Sequence, residues 1–119
     1  EHTGAPQDLA GFHYDLLLED GSSCRTWRLE KLPIVDGPAI EVTPLPVHKL
    51  EWLEKKSAPV SGGRGWARQV KAGVFTGGLP CIGEEIIRIQ LYSNNFSAIL
   101  LIKKNRLCEF RQISSNCTP

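Results

Sequence analysis

Methionine is missing altogether from these 119 residues, so the chain is expected to have lost its initiator or to be a fragment. Long hydrophobic runs are missing too. The longest, Ala98–Ile102, is strand-sized, whereas a membrane-spanning helix needs about 18–20 apolar residues, which excludes an integral membrane protein of that kind. No hydrophobic leader precedes Glu1-His2-Thr3, so no signal peptide is read. The four cysteines, Cys24, Cys81, Cys108 and Cys117, lack any CxxC spacing, which argues against a structural zinc site. They suit either two disulfides of a secreted domain or free buried thiols of a cytosolic one. Without a leader, the expectation is a cytoplasmic protein. Net charge is also nearly absent. With 14 basic against 13 acidic residues, the chain does not bind nucleic acid by bulk charge alone.

What is present is ordinary globular material, 41% hydrophobic and 23% charged, which excludes a disordered or fibrous chain. The length predicts one domain over residues 1–119, with 114–119 as a tail and roughly two thirds of the unfolded surface buried. Charge is uneven along it. Residues 1–60 carry ten acidic and six basic side chains, residues 61–119 three acidic and eight basic. The basic second half either faces phosphate or merely offsets the first.

The pattern is mostly strand. His13–Glu19, the turn signal Asp20-Gly21 and the alternating Cys24–Leu29 predict a β-hairpin. Pro33, Pro38, Pro44 and Pro46 break the next stretch and keep it from being helical. Val47–Lys56 is the one segment able to make a turn or two of helix, with Leu50 and Leu53 on one side. Beyond the Gly-rich loop Ser61–Gly65, four strands are predicted over Trp66–Phe75, Glu85–Tyr92, Phe96–Lys103 and Arg106–Gln112. Their turns are Gly77-Gly78, Ser93-Asn94-Asn95 and Lys103-Lys104-Asn105. Many short strands about ten residues apart predict an all-β fold, a small antiparallel β-barrel with at most one short helix. Trp27 and Trp66 are expected in the core.

Chemistry concentrates on the histidines, His2, His13 and His48. His13 and Asp15 stand two apart in a strand and therefore point to one face. Tyr14, Leu16 and Leu18 take the other face and would fill the core. An imidazole and a carboxylate so placed can share a divalent ion with a third ligand, and such a set suits manganese, iron or zinc better than calcium. The plainer alternative is a histidine and an aspartate on a solvent-facing strand. Arg25 and Arg28 alternate badly for one shared face, so at most one of them faces this site.

The run His13-Tyr14-Asp15-Leu16-x-Leu18-Glu19, then Asp20-Gly21, then Arg25-Thr26-Trp27, resembles the opening of the 3′-phosphoesterase domain of bacterial DNA ligase D. His48-x-Leu50-Glu51-Trp52 is similar to that family's histidine segment, Pro59–Gly65 to its Gly-rich loop in position, and Lys71-Ala72-Gly73 and the closing strands through Phe110 follow in order. The resemblance covers nearly the whole chain. It implies a compact β-barrel that trims the 3′ end of a nucleic acid, removing a 3′-phosphate or 3′-ribonucleotide in DNA end repair with manganese. By position, His2, His13 and Asp15 would hold the metal, and His48 would act on the phosphate from the other side. Lys31 matches a family lysine and is a candidate phosphate contact. Trp52 stands where the family has a tyrosine. Arg64, among Ser61-Gly62-Gly63 and Gly65, is either a phosphate contact or one solvated loop arginine. The implied partners are a nucleic-acid 3′ end and a DNA ligase or polymerase.

Three departures bear on activity, and Trp52 is one, since an indole donates one hydrogen bond but does not reproduce the phenol. Leu17 stands where the family has an arginine, on the strand face of His13 and Asp15, and a positioned cation there typically contributes about 10²–10³ in rate. His2 lies eleven residues before His13, a longer gap than the family's, which an inserted loop over Gly4–Gly11 would absorb. Leu17 favours the rival reading, a non-catalytic relative that keeps the barrel as a nucleic-acid-end or protein binding module. The positions of His2, His13 and Asp15 favour the enzyme.

Overall fold

The computed structural model describes residues 1–4, 11–60, 65–80, 86–104 and 106–113. Its elements are ten strands and one 3-10 turn: β1 (His2–Thr3), β2 (Phe12–Asp20), β3 (Ser23–Leu29), β4 (Ile40–Lys49), the turn Leu50–Leu53, β5 (Ser57–Pro59), β6 (Trp66–Arg68), β7 (Val74–Thr76), β8 (Ile87–Ser93), β9 (Phe96–Ile102) and β10 (Leu107–Arg111). Every pairing between them is antiparallel. The chain divides into two compact units, residues 1–32 with 42–72 and residues 33–41 with 73–119. No described helix is long and apolar enough to cross a membrane.

In the first unit the strand order is β5-β6-β1-β2-β3-β4. Its centre is the predicted β2–β3 hairpin, closed by Gly21-Ser22 between the paired Asp20 and Ser23. Gly21 has φ 65°, a value glycine adopts without the Cβ penalty and hairpin turns require. Strand β3 is buried on both faces: Leu29, Trp27 and Arg25 on one, Cys24 and Thr26 on the other. The expected core face of β2 is only partly sealed, with Leu18 buried and Tyr14 and Leu16 half-buried. Trp27 is in the core as expected. Trp66 is not, at 48% exposed, because β6 is a three-residue strand one place from the end of the order.

Strand β4 is the main departure from the sequence reading. Pro44 and Pro46 lie inside it, and the prolines that exclude helix do not exclude strand here. Pro44 pairs with Trp27 on the β3 side, and among the described residues β4 has no neighbour on its other side beyond Glu41. A missing N–H costs nothing on such an edge. The predicted helical segment shrinks to Leu50–Leu53, and the single strand predicted over Trp66–Phe75 is two short ones, β6 and β7, in different units.

The second unit is the meander β10-β9-β8-β7, with Ile40 and Glu41 of β4 paired to Cys108 and Leu107. Strict alternation buries one face. Ile87 and Cys108 flank Ile102, and Ile89 and Phe110 flank Leu100, each buried and each such aliphatic side chain worth about 1.5–3 kcal/mol of apolar transfer. The predicted strands over 85–92, 96–103 and 106–112 appear within two residues of their expected ends. The architecture is thus all-β and antiparallel, with a single helical turn. The strand order runs from β5 to β7, and among the described residues no pairing joins these two strands.

Opposite that core, Glu109 is held by Arg111, whose Nε and guanidinium nitrogen donate to Oε2 at 3.0 and 2.8 Å, and by Lys103 Nζ at 3.2 Å from Oε1. These hydrogen bonds, Arg111's first, hold its carboxyl below the ordinary carboxylate range. The stabilisation is complete above that range and is lost as pH falls through the lowered folded value. Glu109→Gln is therefore expected to flatten the acid limb of a plot of Tm against pH. An unchanged acid limb would remove this network from the stability account.

Cys24 and Cys108 are free and fully buried. Burial pushes both thiols up, Cys108 to about 12 with Glu109 adding to it, so neither is a thiolate at neutral pH. Cys81 and Cys117 lie outside the described residues.

Candidate metal centre

Strand pairing alone assembles the site. His2 of β1 stands directly opposite His13 of β2, so the eleven-residue gap between them is absorbed. Gly4 and Gly11 close it with a hydrogen bond from the Gly4 N–H to the Gly11 carbonyl at 3.2 Å. Asp15 follows on the same face of β2. His2 Nδ1 lies 3.1 Å from His13 Nε2, His13 Nε2 lies 3.3 Å from Asp15 Oδ1, and His2 Nδ1 lies 4.0 Å from Asp15 Oδ2. One donor atom from each residue falls within 4.8 Å of the others.

These spacings fit a metal. With bonds of about 2.1 Å and angles near 90–110°, neighbouring ligand atoms stand roughly 3.0–3.4 Å apart. The 3.1 and 3.3 Å separations lie in that range. The 4.0 Å one runs to the other carboxylate oxygen of Asp15, so a shared ion needs that carboxylate to turn or to bind through both oxygens. Two histidines and one carboxylate on one side of an ion leave its other positions open, the pattern of a reactive rather than a structural centre. Burial supports the same conclusion. His13 is 2% exposed, which corrects the picture of a solvent-facing strand, and Asp15 Oδ1 is buried without a hydrogen bond of its own. A buried carboxylate oxygen in that state carries a desolvation cost that a cation would offset.

The surroundings are small. Ala58, Ala67, His2 and His13 form one row across β5, β6, β1 and β2, so the histidines are flanked by methyl groups on that face. Gly65 makes the row possible. A Cβ there would run into the Thr3 carbonyl oxygen, and its φ is +96°. Gly65→Ala is expected to push β1 from β6, at a cost of about 1–3 kcal/mol in backbone strain, and to weaken metal binding by moving His2. Unchanged manganese affinity in that variant would show that β1 is not what positions the ligand.

The remaining sequence-predicted residues are placed as follows. His48 lies on β4 in register with Cys24, and Cys24 with Glu19. A β-bulge between Cys24 and Thr26 turns His48 onto the face that carries Asp15. Its row is four residues along β2, roughly 13 Å at strand spacing, and its Nδ1 is 3.0 Å from the Pro46 carbonyl. Leu17 is half-buried on that face, opposite Thr26. Trp52 is half-buried in the 3-10 turn, with Lys55 Nζ 4.5 Å from its ring centroid. Lys31 is exposed beyond the end of β3. Arg64 lies outside the described residues. The triad is therefore assembled, while His48, Trp52 and Lys31 belong to other rows or to connecting segments. Register also separates the two arginines. Arg25 sits on the opposite face, 5.2 Å from the Trp27 ring centroid, and Arg28 stands directly opposite Asp15.

Comparison with protein-family models, with curated proteins and with solved structures finds no match.

Proposed function

We propose that this chain is a metal-dependent phosphoesterase acting on nucleic-acid 3′ ends, with manganese as its ion and a 3′-phosphate or 3′-ribonucleotide as the group removed. The observation that carries the reading is the convergence of His2, His13 and Asp15 within 4.8 Å. Substrate class comes from the resemblance of the His13–Glu19 hairpin and the His48–Trp52 segment to the ligase D phosphoesterase domain. When bound, such an ion supplies a nucleophilic water at neutral pH and neutralises phosphoryl charge. The chain's own residues do the rest. His2 and His13 offer ring nitrogens from adjacent strands, Asp15 lowers the net charge of the centre, and Ala67 and Ala58 put only methyl groups beside His2 in its row. His48 is the group proposed to protonate the leaving oxygen, since histidine exchanges protons near neutral pH. A DNA ligase or polymerase partner and a cytoplasmic location belong to the same proposal.

Leu17 favours a second reading, a binding module without turnover, because an isobutyl group fills a position beside Asp15 where a cation would serve phosphoryl transfer. One assay separates the two. Inorganic phosphate is followed from a 3′-phosphorylated primer–template with manganese, and again after chelation. Chelator-sensitive release is expected. Manganese-loaded protein that binds the end but releases no phosphate would establish the binding module instead.

A further inference from the structure

The first unit has four Lys or Arg residues in its described strands, and the register assigns each to a face. Arg25, Lys49 and Arg68 take the side of Trp27, Ser23 and Trp66. Arg28 alone shares the side of His2, His13 and Asp15. It is the direct cross-strand partner of Asp15, with Cβ atoms of such pairs about 4.5–5.5 Å apart. Opposite charges so placed ordinarily join. Here the Asp15 carboxylate turns to the histidines instead, at 3.3 and 4.0 Å. No hydrogen bond or ion pair among the described residues engages the exposed Arg28 guanidinium. Its direct neighbour on the other side is Thr43, also exposed and neutral.

We infer that Arg28 is the anion-binding arm of this centre and that it selects a terminal phosphate monoester over a phosphodiester. The inference rests on the metal reading above. A guanidinium presents a planar fork that takes two phosphate oxygens at once, leaving a third for the ion. Charge decides between the two ester classes. Asp15 contributes one negative charge, a dication two positive and Arg28 one positive, so the centre carries two positive charges with neutral histidines. A phosphate monoester near neutral pH approaches two negative charges, whereas a diester carries one. The monoester matches in full and also offers three unsubstituted oxygens, where the diester offers two.

The test uses the full chain loaded with manganese and two small probes, methyl phosphate and dimethyl phosphate. Ester binding is measured by calorimetry and metal affinity by manganese electron paramagnetic resonance. The wild type is expected to bind methyl phosphate at least about tenfold more tightly than dimethyl phosphate, the weight of a charge-assisted hydrogen bond. Arg28→Ala is expected to lose most of that preference while keeping its manganese, and Arg28→Lys to recover part of it. Arg28→Ala with wild-type affinity and preference overturns the inference and leaves the metal centre standing. Loss of manganese in Arg28→Ala also overturns it, since the arginine would then support the ligands. A wild type that binds manganese but neither ester overturns both the inference and the phosphoesterase reading, and a wild type that binds no manganese removes the centre itself.

Discussion

His13→Ala is expected to lower manganese affinity by more than about a hundredfold and to abolish phosphate release. The lower bound comes from residues that merely orient metal ligands, whose loss already costs about 10–100-fold. His13 does more, because its Nε2 is the donor atom shared by the two short separations in the triad, 3.1 Å to His2 and 3.3 Å to Asp15. Its removal leaves His2 and Asp15 with only their 4.0 Å separation. Since His13 is buried, the variant also opens a cavity, and Tm is measured beside affinity. His13→Gln keeps most of the volume without the imidazole. Loss of manganese in both variants, with a folded His13→Gln, attributes the effect to ligation. Retained affinity in His13→Gln would show that the ring is a packing residue.

His48→Ala is expected to lower kcat for phosphate release by about 10²–10⁴, the usual contribution of a positioned general acid, with manganese affinity unchanged. The separation of these two readouts is the point of the experiment. His48 reaches the metal face only through the bulge, and its row lies roughly 13 Å along β2 from Asp15 in a flat sheet. Twist and coiling of the strands have to shorten that path for the imidazole to meet a leaving oxygen. A pH–rate profile that loses its basic limb in His48→Ala supports proton donation. Full activity in the variant would leave His48 as an ordinary strand residue bonded to the Pro46 carbonyl.

The parts of the fold that were legible in the sequence are those governed by local rules. The β2–β3 hairpin follows from alternation and from Gly21, and β8, β9 and β10 follow from apolar runs bounded by turn residues. Strand β4 was not legible because proline is a breaker only where its N–H is needed, and edge position is a property of the sheet. The split of Trp66–Phe75 is likewise set by which partners β6 and β7 find. At the site, the i, i+2 spacing put His13 and Asp15 together without any tertiary knowledge. His2 was reached only through the resemblance, since a two-residue strand has no periodicity of its own. Sequence alone does not choose between Arg28 and Arg25, because which of them faces Asp15 depends on hairpin register. The bulge that turns His48 has no sequence signature beyond Pro44 and Pro46, which by local rules signal only an interruption.

The most direct test of the central claim is the anomalous difference map of a crystal of the wild-type chain soaked in manganese. A single peak within about 2.0–2.3 Å of His2 Nδ1, His13 Nε2 and an Asp15 oxygen is the result expected. An empty triad with the ion bound elsewhere, or nowhere, would contradict it.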